Sequence, residues 1–274
     1  MSTLAQPALA RSSHIDASNR GLSATGIVRS EWIKLRSLRS TWWSFSIIVL
    51  IQVSIAVLFA LTTSPMATEP TTQQVTQAAV SISTLGVLFS QLVIAVLGVL
   101  VISGEYSTGQ IRSSFMAVPN RLPVLAAKAL VFAVATFVVA LVAIVISYVV
   151  TMPILAGNGV DAAPLEPSLW LSFFGAAGYL VFIGLISLGI GAALRSTAGG
   201  IAASLGLLLV VPTIFQLIPA EWAGVVASWL PGTAGQSLYY MGSTFEPWQA
   251  LLVMLGWVAV TLIPAAVLMK RRDA

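Results

Sequence analysis

The stretch VSISTLGVLFSQLVIAVLGVLVI, residues 80–102, decides the fold class because none of its residues is Asp, Glu, Lys or Arg. A helix needs about 20 apolar residues to cross the ~30 Å hydrocarbon layer, where it satisfies its own backbone hydrogen bonds. Similar uncharged runs occupy residues 42–62, 129–152, 169–193, 199–218 and 247–269. The sequence therefore predicts an all-α integral membrane protein with six transmembrane helices.

The composition of the whole chain agrees with lipid as the main solvent. Of the 274 residues, 58% are hydrophobic and only 8% are charged, whereas soluble domains carry about 25% charged residues. Residues 1–24 are rich in Ala and Ser and lack the basic start and apolar core of a signal peptide. We expect a disordered cytoplasmic tail over residues 1–24 and one membrane domain over residues 25–274.

The distribution of charge predicts the orientation. If the N-terminus is cytoplasmic, all 13 basic residues lie on the cytoplasmic side, as the positive-inside rule requires. All charged residues of the outer loops are then acidic, namely Glu69, Asp161, Glu166, Glu221 and Glu246. We expect a multi-pass plasma membrane protein with both termini in the cytoplasm. The net charge of +4 reflects this topology and gives no argument for binding nucleic acid.

Several catalytic classes lack their residues in this chain. No Lys follows a Gly, so the phosphate-binding motif GxxxxGK[ST] is absent and the chain is predicted not to hydrolyse ATP. The only histidine, His14, lies in the tail, there is no cysteine, and no aspartate falls within a predicted span. The spans also lack the carboxylates that ion-coupled carriers usually keep at the membrane midplane. We therefore predict neither an enzyme nor a resident cofactor or metal in this chain.

A basic amphipathic segment precedes the first span. At 100° per residue, the apolar side chains of residues 25–42 except Ile33 share one arc, and the basic and hydroxyl side chains except Arg39 occupy most of the rest. This pattern predicts one helix lying in the membrane interface. It fits two roles equally well, a simple anchor or a protein-docking surface. The residues assigned to this interfacial helix are Glu31, Trp32, Lys34, Leu35, Arg36 and Arg39.

The polar segment GEYSTGQIRSSFMAVPNRLP, residues 104–123, separates the second and third runs. Glu105 and Arg112 are seven residues apart, which places them on one face of a continuous helix. Gly109 is a candidate bend between them, and the prolines at 119 and 123 end the segment. Two interpretations stay open here, a protruding docking helix and a local ion pair that only clamps the interface.

The segments SEWIKLRSLRSTWW (residues 30–43) and GEYSTGQIRSSFMAVPNRLPVLAAKAL (residues 104–130) resemble those of actinobacterial ABC-2-type transporter permeases. In that family the pattern E-Y-x-x-G-x-I-R, followed by a Pro, a basic residue and A-A-K, comes after the second span. The resemblance implies a cytoplasmic coupling helix between spans two and three that contacts a separate ATPase. The matching residues here are Glu105, Tyr106, Gly109, Ile111, Arg112, Pro119, Arg121 and Lys128. Gln110 stands where that family often has Thr.

The same resemblance implies the function and the partners. The chain would be the permease subunit of an exporter for a hydrophobic or amphipathic substrate such as a drug, peptide or lipid. It would work with two ABC ATPase subunits, which bind ATP and Mg²⁺, and with a second permease, either another copy or a related chain, among membrane lipids. The alternatives are a non-transporting membrane scaffold or sensor and an ion-coupled secondary transporter.

Three further features lie within or between the spans. Gln52 and Gln91 are the largest polar side chains deep in the predicted spans and serve either as interhelical hydrogen-bonding groups or as part of a substrate path. The outer segment 219–231 has Trp222 and Trp229 on one helical face, as expected for an interfacial helix. Pro212 predicts a kink in the fifth span.

Overall fold

A computed structural model describes residues 23–63, 71–107, 109, 121–158, 166–240 and 244–271. These residues form helices and short connections, and no strand occurs among them. The helices in chain order are α1 (Ala24–Ser37), α2 (Arg39–Thr62), α3 (Thr72–Thr84), α4 (Val87–Ser107), α5 (Arg121–Gly157), α6 (Pro167–Leu194), α7 (Thr197–Leu205), α8 (Val211–Leu217), α9 (Glu221–Ser228), α10 (Pro231–Gln236) and α11 (Pro247–Arg271).

Six helical stretches in the described part are long and apolar enough to cross a membrane, which confirms the predicted number of spans. They are Arg39–Thr62, Thr72–Ser107, Leu122–Gly157, Pro167–Leu194, Thr197–Leu217 and Pro247–Lys270. The second and third exceed the uncharged runs 80–102 and 129–152 at both ends. Helices continue past the hydrocarbon layer wherever polar side chains can solvate their ends, so the absence of charge underestimates their length.

The predicted continuous helix over residues 25–42 is interrupted. Leu38 has extended backbone angles (φ −77°, ψ 121°), so α1 ends at Ser37 and α2 begins at Arg39. The buried residues of α1 are Glu31 and Leu35, whereas Trp32 and Leu38 of the predicted apolar arc are exposed. The helix therefore packs on the bundle through only part of the apolar arc, with Leu35 buried, and through Glu31 beside it.

The centre of the bundle is the contact between α4 and α6. Gly98 of α4 faces Gly184 of α6 so closely that a Cβ atom on Gly98 would lie 2.5 Å from the Gly184 carbonyl oxygen. Such an approach requires small residues, as is common between membrane helices. The aromatic rings of Phe173 and Tyr179 on α6 are fully buried in the adjoining core. Helix α6 is thus the central element, against which α3, α4, α5, α7, α10 and α11 pack, whereas α1 and α2 pack mainly on α5.

Gly98→Ala should separate α4 from α6 and lower the free energy of unfolding by about 1–3 kcal/mol, as overpacking usually does. Gly178→Ala on α6 is the matched control, because a Cβ atom there meets no atom within 4 Å. Thermal unfolding of the purified variants in one detergent measures both effects. Equal melting temperatures for the two variants would contradict this packing.

The fifth span is irregular just before Pro212, where the sequence predicts a kink. Between α7 and α8, residues Gly206–Val210 form a π-helical turn, in which the Val211 amide donates to the Gly206 carbonyl oxygen. Pro212 follows immediately and has no amide hydrogen to donate to the carbonyl four residues earlier. Single π-helical turns inside α-helices are frequent at functional sites.

The outer segment 219–231 contains the short helix α9, and a second short helix, α10, begins at its last residue. Helix α9 ends at Ser228 and α10 begins at Pro231, so Trp229 lies in the connection. Trp222 and Trp229 are both exposed. The carbonyl oxygen of Trp229 accepts a 2.9 Å hydrogen bond from the Trp257 indole nitrogen of α11. This bond attaches the outer segment to the sixth span.

Candidate functional site

Four charged side chains from three helices meet where α4 ends and α5 begins, and we call them the ion-pair cluster: Glu31, Lys34, Glu105 and Lys128. The Lys128 Nζ of α5 lies 2.5 Å from Glu31 Oε2 of α1 and 2.8 Å from Glu105 Oε1 of α4. The Lys34 Nζ of α1 lies 2.7 Å from Glu31 Oε1 and 3.2 Å from Glu105 Oε1. Two carboxylates and two ammonium groups thus alternate in a compact group.

The cluster is largely removed from solvent. Glu31 is 3% exposed, Glu105 is 7% exposed and Lys128 is 4% exposed, while the Lys34 side chain keeps 23% of its surface. Its formal charges sum to zero, as burial of ions requires. Each acid contacts both bases, so removal of any one side chain leaves the cluster with an unbalanced charge. The cluster therefore fixes α1 against both α4 and α5.

The charge of Lys34 is stable at neutral pH. Burial lowers its pKa, but the hydrogen bond to Glu31 and the negative charges of Glu105 and Glu31 outweigh this effect, so its pKa lies above the ordinary value. A raised pKa means that the stabilisation is complete below the ordinary lysine value and is lost only as the pH rises through the higher folded value. Lys34 therefore stays positively charged across the physiological range.

One oxygen of the cluster has no partner. Glu105 Oε2 is buried and accepts no hydrogen bond within the described part of the chain. A buried acceptor without a partner costs about 1–3 kcal/mol. The carboxylate of Glu105 is therefore the least satisfied group of the cluster, and it lies two residues before the end of α4.

A second group of contacts joins the same end of α4 to the turn between α6 and α7. Arg195 forms this turn in the left-handed conformation (φ 52°). Its guanidinium lies 5.2 Å from the centroid of the Tyr106 ring, a cation–π distance, and its Nη2 donates to the Leu268 carbonyl oxygen at 3.4 Å. The Thr197 hydroxyl donates to Ser103 Oγ at 2.9 Å. The end of α4 thus contacts the turn between the fourth and fifth spans, and Arg195 of this turn also bonds to the sixth span.

The structure joins two sets of residues that the sequence assigned separately. Glu31 and Lys34 of the interfacial helix contact Glu105 and Lys128 of the predicted coupling segment. The remaining residues of the interfacial helix divide into a buried Leu35 and the exposed Trp32, Arg36 and Arg39.

The other predicted coupling residues lie around the segment between α4 and α5. Tyr106 is half-buried and Gly109 is exposed with a positive φ of 70°. Arg121 begins α5. Ile111, Arg112 and Pro119 lie outside the described residues, so the predicted pairing of Glu105 with Arg112 stays a prediction. Within the described residues, Glu105 pairs with Lys128 and Lys34.

The two buried amides bond to different partners. Gln52 Nε2 of α2 donates to the Ser83 carbonyl oxygen of α3 at 2.6 Å, and the Ser90 hydroxyl of α4 donates to Gln52 Oε1 at 3.4 Å. Gln91 Oε1 of α4 accepts from the Tyr179 hydroxyl of α6. Both amides therefore connect helices, and each satisfies part of its hydrogen-bonding capacity inside the bundle.

Sequence reasoning missed Arg195, Ser103 and Thr197 as contacts of the coupling segment, and it missed that Glu31 is buried. One signal was available for Arg195, because it is the single charged residue between the fourth and fifth uncharged runs. For Glu31 the helical wheel gave the wrong prediction, because it places every polar side chain on the solvent-facing side.

A family model described as "ABC-2 family transporter protein" matches residues 27–211, which is 185 of the 274 residues. The match begins inside α1 and includes all four residues of the ion-pair cluster together with Arg195. No curated protein matches the chain. Since the match covers about two thirds of the sequence, the chain belongs to the ABC-2 family of transporter proteins.

Proposed function

We propose that the chain is the permease subunit of an ATP-driven exporter, in which the ion-pair cluster transmits movement from a separate ATPase to the membrane helices. Family membership makes the chain a permease component of an ABC transporter in the plasma membrane, with an ABC ATPase as its partner. The coupling to hydrolysis, the outward direction and the substrate class go further than the family and are part of the proposal.

One observation carries the proposal. Lys128 bonds to both Glu31 and Glu105, so a single ammonium group connects α1 with the two helices that flank the segment 108–120. This is the segment in which the resemblance places the coupling helix. A displacement of this segment would move α1, α4 and α5 together, because the ion-pair cluster joins the three helices.

The proposed mechanism is mechanical. ATP and Mg²⁺ would bind to two ATPase subunits, whose closure would displace the coupling segments of two permeases, either two copies or two related chains. The contacts of α4 with Arg195 and Thr197 would pass this displacement to the last three spans. The ATPase can shift the permease between inward- and outward-open states only if it binds one of them more tightly.

The proposed orientation and substrate follow from the sequence. With both termini in the cytoplasm, the ion-pair cluster and the Arg195 turn lie on the cytoplasmic side, next to the ATPase. We take a hydrophobic or amphipathic substrate, such as a drug, peptide or lipid, as the substrate class that the apolar spans can accommodate.

Co-purification tests the proposal. The tagged chain is extracted from its native membrane in a mild detergent, every protein that stays bound is identified, and the product is assayed for ATP hydrolysis. We expect a protein with a Walker motif whose hydrolysis responds to hydrophobic compounds and stops when its motif lysine is replaced. A chain that purifies alone without ATPase activity would instead support the scaffold or the ion-coupled carrier.

A further inference from the structure

An apolar groove of about 360 Å³ lies between α1, the first turns of α2 and α5. Leu35, Phe45 and Val138 supply apolar surface along it, and the side chains of Arg36 and Thr41 supply its polar groups. On α5 the groove wall continues into the exposed row Val134, Val138 and Val142. Since this row belongs to the third span, the groove is open toward the lipid.

Two polar groups in the groove, the Thr41 hydroxyl and the Arg36 guanidinium, make no hydrogen bond or ion pair with other described side chains. Thr41 is only 3% exposed, yet its hydroxyl makes no hydrogen bond within the described residues. The guanidinium of Arg36 is exposed, and no ion pair joins it to another described residue. The Trp42 indole nitrogen donates to the Arg36 carbonyl oxygen at 2.9 Å, which holds the rim of the groove in place.

The charge around the groove is positive. Glu31 is the only acidic residue in the range 23–63, and it is used within the neutral ion-pair cluster. Among the described residues, no ion pair joins Arg29, Arg36 or Arg39, on α1 and the start of α2, to an acidic side chain. Basic residues beside a membrane attract anionic lipid by about 1 kcal/mol each.

We propose that this groove binds one anionic phospholipid of the membrane. Its phosphate lies at Arg36, where the Thr41 hydroxyl donates a hydrogen bond to it, and one acyl chain lies along Leu35, Phe45 and Val138. The lipid then contacts both α1 and α5, and its occupancy favours the packing of α1 on the bundle. This site does not depend on the proposed transport activity.

Lipid titration with a charge-matched control tests the site. The full chain is purified in a neutral detergent, and bound phosphatidylglycerol and phosphatidylcholine are counted by native mass spectrometry. We expect a preference for phosphatidylglycerol of at least about fivefold, which Arg36→Gln reduces by about fivefold. Arg29→Gln removes the same charge from the same helix outside the groove and should keep the preference.

Equal losses in the two variants would show general surface attraction and would overturn the proposal, as would equal affinity of the unchanged chain for both lipids. The proposal would also be overturned if millimolar inorganic phosphate displaced phosphatidylglycerol and the length of the acyl chain had no effect on its affinity. If binding of the ATPase, and not of phosphatidylglycerol, lowers hydrogen exchange of the backbone along the groove, the groove is a protein interface and the proposal is wrong.

A second variant separates binding from folding. Thr41→Val keeps the shape of the side chain and removes the hydroxyl. We expect weaker phosphatidylglycerol binding together with an unchanged or higher melting temperature in lipid-free detergent, because an unpaired buried hydroxyl is removed. Unchanged phosphatidylglycerol affinity in this variant would remove Thr41 from the site and overturn the proposed geometry.

Discussion

Lys128→Met is expected to lower the free energy of unfolding by about 3–5 kcal/mol, the usual cost of breaking a buried ion pair by removing one partner. Methionine is of similar length but provides neither charge nor hydrogen bond. Glu31 and Glu105 would then face each other with only the partly exposed Lys34 to balance them. Reversible unfolding of the purified chain in mixed micelles measures the loss.

Two further variants test the cause of this loss. Lys270→Met makes the same chemical change at an exposed site on α11, and we expect a change within about 0.5 kcal/mol. Glu105→Gln combined with Lys128→Met leaves Glu31 and Lys34 as a neutral pair, and it should recover about 1 kcal/mol or more of the single-variant loss. If the double variant is less stable than Lys128→Met alone, the ion-pair cluster does not act as a unit.

Glu105→Gln and Arg112→Ala are expected to weaken coupling more than folding. The amide that replaces the Glu105 carboxylate can still accept a hydrogen bond from Lys128, which also keeps its contact with Glu31. The positive charge left over can be solvated at Lys34, whose side chain is 23% exposed. The permease should therefore still fold, with a smaller loss of stability than Lys128→Met causes, but it should lose its preference for the ATP-bound form of the ATPase. Coupling free energies between sites are typically about 1–3 kcal/mol, which corresponds to a 5- to 150-fold change in affinity.

The measurement is the affinity of the reconstituted permease for its ATPase with and without a non-hydrolysable ATP analogue. Ser107→Ala, at the exposed end of α4, is a nearby control that should retain the nucleotide effect. Retention of the full nucleotide effect in both Glu105→Gln and Arg112→Ala would remove these two residues from the coupling path.

The spans could be predicted because membrane insertion depends on local composition. A run such as residues 80–102 needs no information from elsewhere in the chain to be recognised. The break at Leu38 could not be predicted in this way, since neither Gly nor Pro marks it. The helix before the break is held by the contacts of Glu31 with Lys128, which no local pattern contains.

The ion-pair cluster could be predicted only in part. The helical period relates Glu105 to Arg112 within one segment, but it carries no information about Lys128, 23 residues away, or Glu31, 74 residues away. The resemblance named Glu105 and Lys128 without pairing them. Their pairing depends on how α1, α4 and α5 pack, and this packing is a property of the folded chain.

Site-specific photo-crosslinking tests the central claim most directly, namely that the segment between α4 and α5 contacts an ATPase. Phe115 in this segment and Trp248 at the start of α11 are replaced, one at a time, by a photoreactive phenylalanine in the native membrane. We predict that Phe115 crosslinks to a protein with a Walker motif and that Trp248 does not. Crosslinks to such a protein from Trp248 alone, or from neither position, would contradict the account.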